Sequence, residues 1–317
     1  MNTRALNTDR YRFRLALLHP RCWLTWLGLL AFFIITLLPM LTTDWLACRL
    51  GDFVASKNRK RFNIVKKNLT ICFPEQNESE IESMVGEHFR VQYRSLMHYF
   101  LLWWRPASIV RKKLSMTGFD KVAKYQSEGK NIIIMLVHSV GLEFAVTAVT
   151  LEQEINGPFK SMRNPVIDWL VAKGRMRFGQ KHGVQLFTRE DGLRPLIRET
   201  RAGKVLVYLA DEDLGRKASI FVPFYGVQKA TIPVLGRLAK SCDAVVLPCV
   251  SCYDAANKRY SITLLPAIKD IPSGDDEKDT LAMNRAIEQV IDFCPVQYLW
   301  TLRYFKTRPM GEPSIYE

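Results

Sequence analysis

Hydrophobic and polar positions divide this chain into three stretches of different character. From Cys22 to Thr43 no residue is charged, and Trp23 to Leu41 is almost entirely apolar. At ~1.5 Å per residue a helix there would cover roughly the 30 Å of a bilayer's hydrocarbon core. Trp23, Trp26 and Trp45 stand where interfacial aromatics belong. A cleavable signal peptide would have a shorter apolar region ending in small residues, whereas this one ends at Leu-Thr-Thr-Asp-Trp45. The pattern therefore predicts an uncleaved N-terminal membrane-anchoring helix. Next, Ser79 and Glu82 have capping-box spacing, and Ile81, Val85, Phe89, Tyr93, Leu96 and Phe100 recur at helical intervals. This predicts an amphipathic helix whose first half packs on a core. Its Leu101-Leu102-Trp103-Trp104 end suits a membrane interface or a groove for a hydrocarbon chain.

Beyond residue 130 short β-branched runs alternate with helical periodicity. Strands are expected at 132–137, 159–162, 184–187, 205–209, 244–252 and 259–265. Helices are expected at 143–151, 165–177, 193–201, 232–241 and 280–293. Repeated βα order means an α/β fold, with a largely parallel central sheet flanked by helices. No linker or repeat divides the chain after the anchor, so residues 1–48 are expected to form the anchor region and 49–317 a single α/β domain.

The apolar run Ile132 to Val137 ends at His138, with Glu143 five residues on. Such strand ends are where α/β proteins place their chemistry, and an imidazole oriented by a carboxylate is the minimum of a general base. On an unbroken helix residues five apart diverge, so a turn must intervene, and Gly141 permits one. Three further strand ends are polar: Arg163-Asn164-Pro165, leading to Arg175 and Arg177; Asp211-Glu212-Asp213; and Phe221 to Gly226 with Ala230-Thr231. Singly they fit a helix surface, a solvated turn and a β-turn. Their convergence on the edge that carries His138 makes them candidates for one site.

The formal charge is +14. Arg10, Arg12, Arg14 and Arg21 precede the apolar stretch, and Arg49, Lys57, Arg59, Lys60, Arg61, Lys66 and Lys67 follow it. Basic clusters beside a hydrophobic anchor hold anionic membrane lipid. No helix-turn-helix, zinc-finger or RNP-like pattern accompanies the charge, so nucleic acid is not the expected partner. Seven scattered cysteines do not resemble a disulfide framework, which points to a reducing compartment. Cys249 and Cys252 lie three apart on an expected strand, facing opposite sides, and make no metal site. Serine-hydrolase, Walker, dinucleotide and zincin motifs are absent.

Taken together, several motifs resemble the late acyltransferases of lipid A biosynthesis, the lauroyl/myristoyl transferase family, over nearly the whole chain. They are His19-Pro20-Arg21-x-Trp23, Asn68-Leu69-x-x-Cys72-Phe73-Pro74-Glu75, His138-x4-Glu143, Arg163-Asn164-Pro165 and Arg175-x-Arg177-Phe178-Gly179. Asp211-x-Asp213-x-Gly215, Phe221 to Gly226 and the ending Gln297-Tyr298-x-Trp300 with Lys306-Thr307-Arg308 complete the set. Glu143 stands where the family commonly has Asp. Leu302 and Tyr304 differ from the His and Arg of the lauroyl branch, which favours similarity to the myristoyltransferase branch.

The resemblance implies transfer of a medium-length acyl group from acyl carrier protein to a 3-hydroxyl of a chain on the Kdo-bearing lipid A precursor, without metal or organic cofactor. His138 would be the base, and Glu143 would fix its tautomer. Arg163, Asn164, Arg175 and Arg177 would bind the acceptor's phosphates and carboxylates or the oxyanion. Asp211 and Asp213 would orient an arginine or a sugar hydroxyl. The domain would face the cytoplasm from the bacterial inner membrane, with Lys112, Lys113, Lys173 and Lys181 as candidates for docking the acidic carrier protein. A glycerophospholipid acyltransferase and a non-catalytic scaffold binding anionic lipid are the competing expectations.

Overall fold

The computed structural model of the chain describes residues 12–180 and 183–316. Arg10 and Lys181, both named among the basic candidates, lie outside the described residues.

The apolar stretch is not one helix. α1 (Trp23–Ile35) has 13 residues, about 20 Å of rise. It stops at Thr36, whose hydroxyl donates to the Phe33 carbonyl. Pro39 lacks an N–H and biases the residue before it away from helix, and α2 (Met40–Lys57) begins just after it. No described helix is long and apolar enough to cross a membrane, which corrects the expected spanning anchor. One side of α1 packs inward: Leu29 is buried, and Phe32 stacks on Phe100 with ring centroids 4.4 Å apart. Trp23, Leu24, Leu27, Leu30 and Ile34 point outward, continued by Leu37, Leu41 and Trp45.

The expected boundary at residue 48 falls inside α2, which lies against the amphipathic helix. Close approach is possible because Gly51 has no Cβ; an added one would stand 2.7 Å from the Phe89 carbonyl oxygen. α3 (Arg59–Cys72) leads to that amphipathic helix, α4 (Glu78–Trp104). Its capping box is formed by Asn77 and Glu80 rather than by Ser79 and Glu82, because Asn77 is the residue whose side chain reaches the N–H of Glu80.

There follow α5 (Ala107–Arg111), β1 (Leu114–Thr117), α6 (Asp120–Ser127), β2 (Asn131–Leu136), α7 (Leu142–Glu152), β3 (Ile155–Pro158), α8 (Pro165–Arg177), β4 (Val184–Phe187), α9 (Arg194–Arg201) and β5 (Val205–Leu209). A hairpin of β6 (Ile220–Phe224) and β7 (Val227–Thr231) precedes α10 (Val234–Cys242), β8 (Ala244–Asp254), β9 (Arg259–Leu264) and α11 (Asp276–Asp292). Seven strands form one sheet in the order β1-β9-β8-β2-β5-β3-β4, parallel except for the β8–β9 pair. The expected α/β class with a largely parallel sheet is found. The strand expected at 159–162 instead runs from Ile155 to Pro158. Asn-Gly-Pro reads as a turn in sequence, but Gly157 lets the backbone approach Val207, whose carbonyl would stand 2.9 Å from an added Cβ.

β2 is buried on both faces, which is why its run has no polar interruption. Ile133 and Met135 join Leu206 and Val246 in one core cluster, while Ile132 and Ile134 join Val207 and Leu247 in another. Each such side chain contributes roughly 1.5–3 kcal/mol by burial, so a polar substitution at Ile134 would break the sheet that carries the site.

Cys249 and Cys252 do face opposite sides of β8: Cys249 lies in the second cluster, and Cys252 packs against the first. The scattered cysteines nevertheless include one bonded pair, Cys252–Cys294. Separated by 42 residues, the two are brought together by the fold and not by any spacing visible in sequence.

Candidate active site

Parallel pairing of β2 with β5 puts Leu136 opposite Leu209. Two residues beyond each lie His138 and Asp211, so the sheet register itself sets them side by side. The Asp211 carboxylate accepts hydrogen bonds from His138 Nδ1 at 2.7 Å, from the His138 backbone N–H at 2.8 Å and from the Tyr298 hydroxyl at 2.8 Å. Asp211 is fully buried. Burial would raise its pKa, yet the neighbouring His138 and these donors hold it below the ordinary carboxylate value. An ionised Asp211 fixes the proton on Nδ1 and leaves the Nε2 lone pair available. The His138 side chain is 23% exposed, enough to be reached from outside, and Nε2 has no hydrogen-bond partner among the described residues. Burial pulls the imidazole's pKa down, but Asp211, with Glu212 adding to it, more than offsets this and holds the ring above its ordinary value.

The turn after His138 is clamped from three sides. Val140 N–H donates to the Gln297 carbonyl and Leu299 N–H to the His138 carbonyl, at 2.8 and 2.7 Å. Ser95 and Tyr99 of α4 both donate to the Val140 carbonyl. Ser251 donates to the Gly141 carbonyl at 2.8 Å, and a Cβ on Gly141 would stand 2.5 Å from that same hydroxyl. Glycine is thus required here for close approach to β8.

Glu143, in the first turn of α7, does not serve as the partner of His138. Its carboxylate is held by Arg175, whose Nε lies 3.0 and 3.2 Å from the two oxygens and whose Nη2 also donates to it. The tautomer-fixing role expected for Glu143 belongs to Asp211. The reason is reach: α7 turns Glu143 toward α8, while the strand register delivers Asp211 directly. Arg175 still bears on the base, since its charge opposes protonation of His138.

A half-buried, carboxylate-backed histidine at a strand end beside a pinned arginine suits proton abstraction with charge stabilisation. The comparisons agree. A family model described as bacterial lipid A biosynthesis acyltransferase matches residues 10–307. The chain belongs to that family. The lipid A biosynthesis lauroyltransferase of Escherichia coli K12 is 33% identical over 310 residues, 98% of this chain and 100% of that protein. The myristoyltransferase of the same strain is 32% identical over 94% of this chain and 92% of its own length, and the palmitoleoyltransferase 31% over 96% and 98%. Identity is close to equal across three named acyl specificities.

The other residues expected in this acyltransferase's site are placed as follows. Asn164 caps α8, accepting from the N–H groups of Val166 and Ile167, and donates to Thr25 of α1 at 2.8 Å. Arg163 is exposed beside it. Arg177 donates to the Leu102 carbonyl at 3.0 Å and lies over the Phe178 ring. Asp213 accepts from Thr307 N–H and hydroxyl at 2.7 and 2.8 Å, tying the C-terminal segment to the turn after β5. The carboxylates and arginines thus do not all converge on His138: Asp211 and Arg175 bear on it, while Asn164, Arg177 and Asp213 have structural partners.

Two contributors carried no sequence signal of the role they play. Tyr298 is fully buried and arrives from the C-terminal segment, where it pairs with Ser139 across an isolated bridge. Lys229 of β7 is also fully buried, its Nζ 5.3 Å from the Phe224 ring and without a hydrogen-bond partner among the described residues. Burial lowers its pKa to about 8 against the pull of Asp211 and Asp213.

Proposed function

We propose that the protein transfers a medium-length acyl group from acyl carrier protein to a hydroxyl of an acyl chain on a Kdo-bearing lipid A precursor. The observation that carries this reading is the His138–Asp211 pair with Nε2 open to the exterior. An aliphatic hydroxyl is a poor nucleophile near neutral pH and needs a base as it attacks the thioester carbonyl. His138 Nε2 takes the hydroxyl proton, Asp211 stabilises the imidazolium, and the developing oxyanion meets the Arg175 guanidinium that Glu143 holds in place. Collapse of the tetrahedral intermediate expels the carrier thiolate, and the proton on Nε2 passes to that sulfur. The base is regenerated and one new ester is formed, with no metal or organic cofactor in the scheme.

An apolar cleft of about 310 Å³ lies between the α1–α2 connection and the end of α4, lined by Leu38, Met40, Met97, Leu101 and Ile109, and reaches Phe144 next to Glu143. We assign it to a fatty acyl chain. The outward apolar side of α1, flanked by Arg14, Arg21 and Arg49, would lie in the headgroup region of the inner membrane's cytoplasmic leaflet rather than span it. That position puts the site within reach of a cytosolic acyl carrier protein, for whose acidic surface Lys112, Lys113 and Lys173 are candidates. Leu302 and Tyr304 favour the myristoyltransferase-like branch; Tyr304 is buried and stacks on Tyr298, with centroids 4.6 Å apart, directly behind Asp211.

Purified full-length protein given acyl carrier protein thioesters and the precursor should yield a product heavier by one acyl group in mass spectrometry. Acylation of lysophosphatidate in preference to the precursor would assign it to glycerophospholipid synthesis instead.

A further inference from the structure

The arginines expected from the sequence to hold the acceptor's phosphates are largely engaged elsewhere: Arg175 on Glu143 and Arg177 on the Leu102 carbonyl. A second basic group includes two arginines, Arg14 and Arg21, with no such partner among the described residues. The segment before α1 folds back on α8: Leu17 is buried with Val166 and Leu170, Trp26 donates to the Leu17 carbonyl at 2.8 Å, and Phe13 meets Trp169 edge-on at 5.5 Å. This fold leaves a cleft of about 230 Å³ against the first turn of α8, with Arg12, Arg14 and Arg21 on one side and Asp168 and Trp169 on the other. Arg14 and Arg21 share the cleft with one carboxylate, that of Asp168, which accepts the Met162 N–H at 2.6 Å. No carboxylate among the described residues pairs with Arg14 or Arg21.

We propose that this cleft is a phosphate subsite for the acceptor, a refinement that rests on the proposed lipid A precursor reading. Arginines recognise phosphate through paired N–H donors, and the positive end of α8 adds to their field. Position argues for the acceptor. Arg21 of the cleft lies two residues before α1, whose outward side is apolar, so a lipid lying against that side would have its headgroup nearby. Ten residues of α8 separate Pro165 at the cleft from Arg175 at the reacting centre, about 15 Å of helix. That is the scale of a sugar phosphate together with the first carbons of its acyl chain. Binding the phosphate there would place the chain's hydroxyl toward His138.

The test measures equilibrium binding of the bisphosphorylated precursor, and of the same lipid after enzymatic dephosphorylation, to full-length protein in neutral detergent. Wild type is compared with Arg14→Gln/Arg21→Gln and with Arg14→Lys/Arg21→Lys. The glutamine pair should weaken the phosphorylated ligand about tenfold or more, leave the dephosphorylated ligand unchanged, and be partly rescued by lysine. Equal losses on both ligands, or none on either, would overturn the subsite. So would a loss confined to sedimentation with phosphatidylglycerol vesicles, which would make the arginines membrane contacts. Turnover of wild type on the precursor is read separately, so failure of the functional reading is distinguishable from failure of the subsite.

Discussion

Replacing Asp211 by Asn tests the wiring of the base. The carboxylate accepts three hydrogen bonds, two of them from His138. Asparagine offers one acceptor oxygen. If it keeps the backbone N–H and Tyr298, its amide N–H₂ faces Nδ1, which must then accept; the ring proton moves to Nε2, and the nitrogen that should take the hydroxyl proton already carries one. The corresponding change in a Ser-His-Asp triad costs ~10⁴ in kcat, about 5 kcal/mol at ~1.36 kcal/mol per decade. A loss of that order is expected here, with thermal stability changed far less than activity. The charge that raises the His138 pKa is also gone. General base catalysis needs neutral imidazole, so activity in wild type falls as pH drops through a His138 pKa above its ordinary value, and residual activity in the variant should persist to lower pH. Single-turnover acyl transfer across pH measures both effects. A variant within tenfold of wild type, or with an acid limb moved upward, would refute the reasoning.

Tyr298→Phe removes one of the three donors to Asp211 and should lower kcat by roughly tenfold, as the loss of a hydrogen bond to a charged group implies; an unchanged kcat in steady-state assays would show that Asp211 needs only His138. Arg175→Lys keeps the charge but loses the fork on Glu143, so single-turnover rates should fall ~10–100-fold while the acid limb stays in place; a displaced limb would make Arg175 a modulator of the base rather than an oxyanion partner. His88 is fully buried, with Nδ1 on the Val296 carbonyl, and burial lowers its pKa to about 4. The unfolded chain takes up this proton at a higher pH than the folded one, so stability is lost as pH falls from about 6.5 to about 4, by up to ~3 kcal/mol. Urea unfolding at pH 7 and 4.5 should show a smaller acid loss in His88→Gln than in wild type, and parallel losses would contradict the assignment.

The alternation of strands and helices and the candidate base were legible because they depend on local pattern. A doubly buried parallel strand must be continuously apolar, so Ile132 to Val137 declared itself, and the first polar residue after it was His138. What was not legible depends on pairing. Glu143 is near His138 in sequence, but Asp211 is near it in space because Leu136 aligns with Leu209, and no local feature states that register. The shared offset, an acid and a histidine each two residues past a strand end, was the available clue. Tyr298 reaches the site through a bridge to Ser139; its motif is visible in sequence, but nothing local states that its hydroxyl meets Asp211. The break in the apolar stretch is hidden for a different reason: hydropathy is continuous over residues 23–41, while the helix stops at Ile35 and resumes only after Pro39, so the membrane-spanning length is not reached.

The central claim is that His138, backed by Asp211, takes the proton of the acceptor hydroxyl. Its most direct test is single-turnover acyl transfer by folded His138→Ala protein, followed by mass spectrometry of the precursor lipid. The account predicts a rate lower by ~10²–10⁴-fold, with acyl-carrier and precursor binding retained. Acyl transfer at the wild-type rate would contradict it.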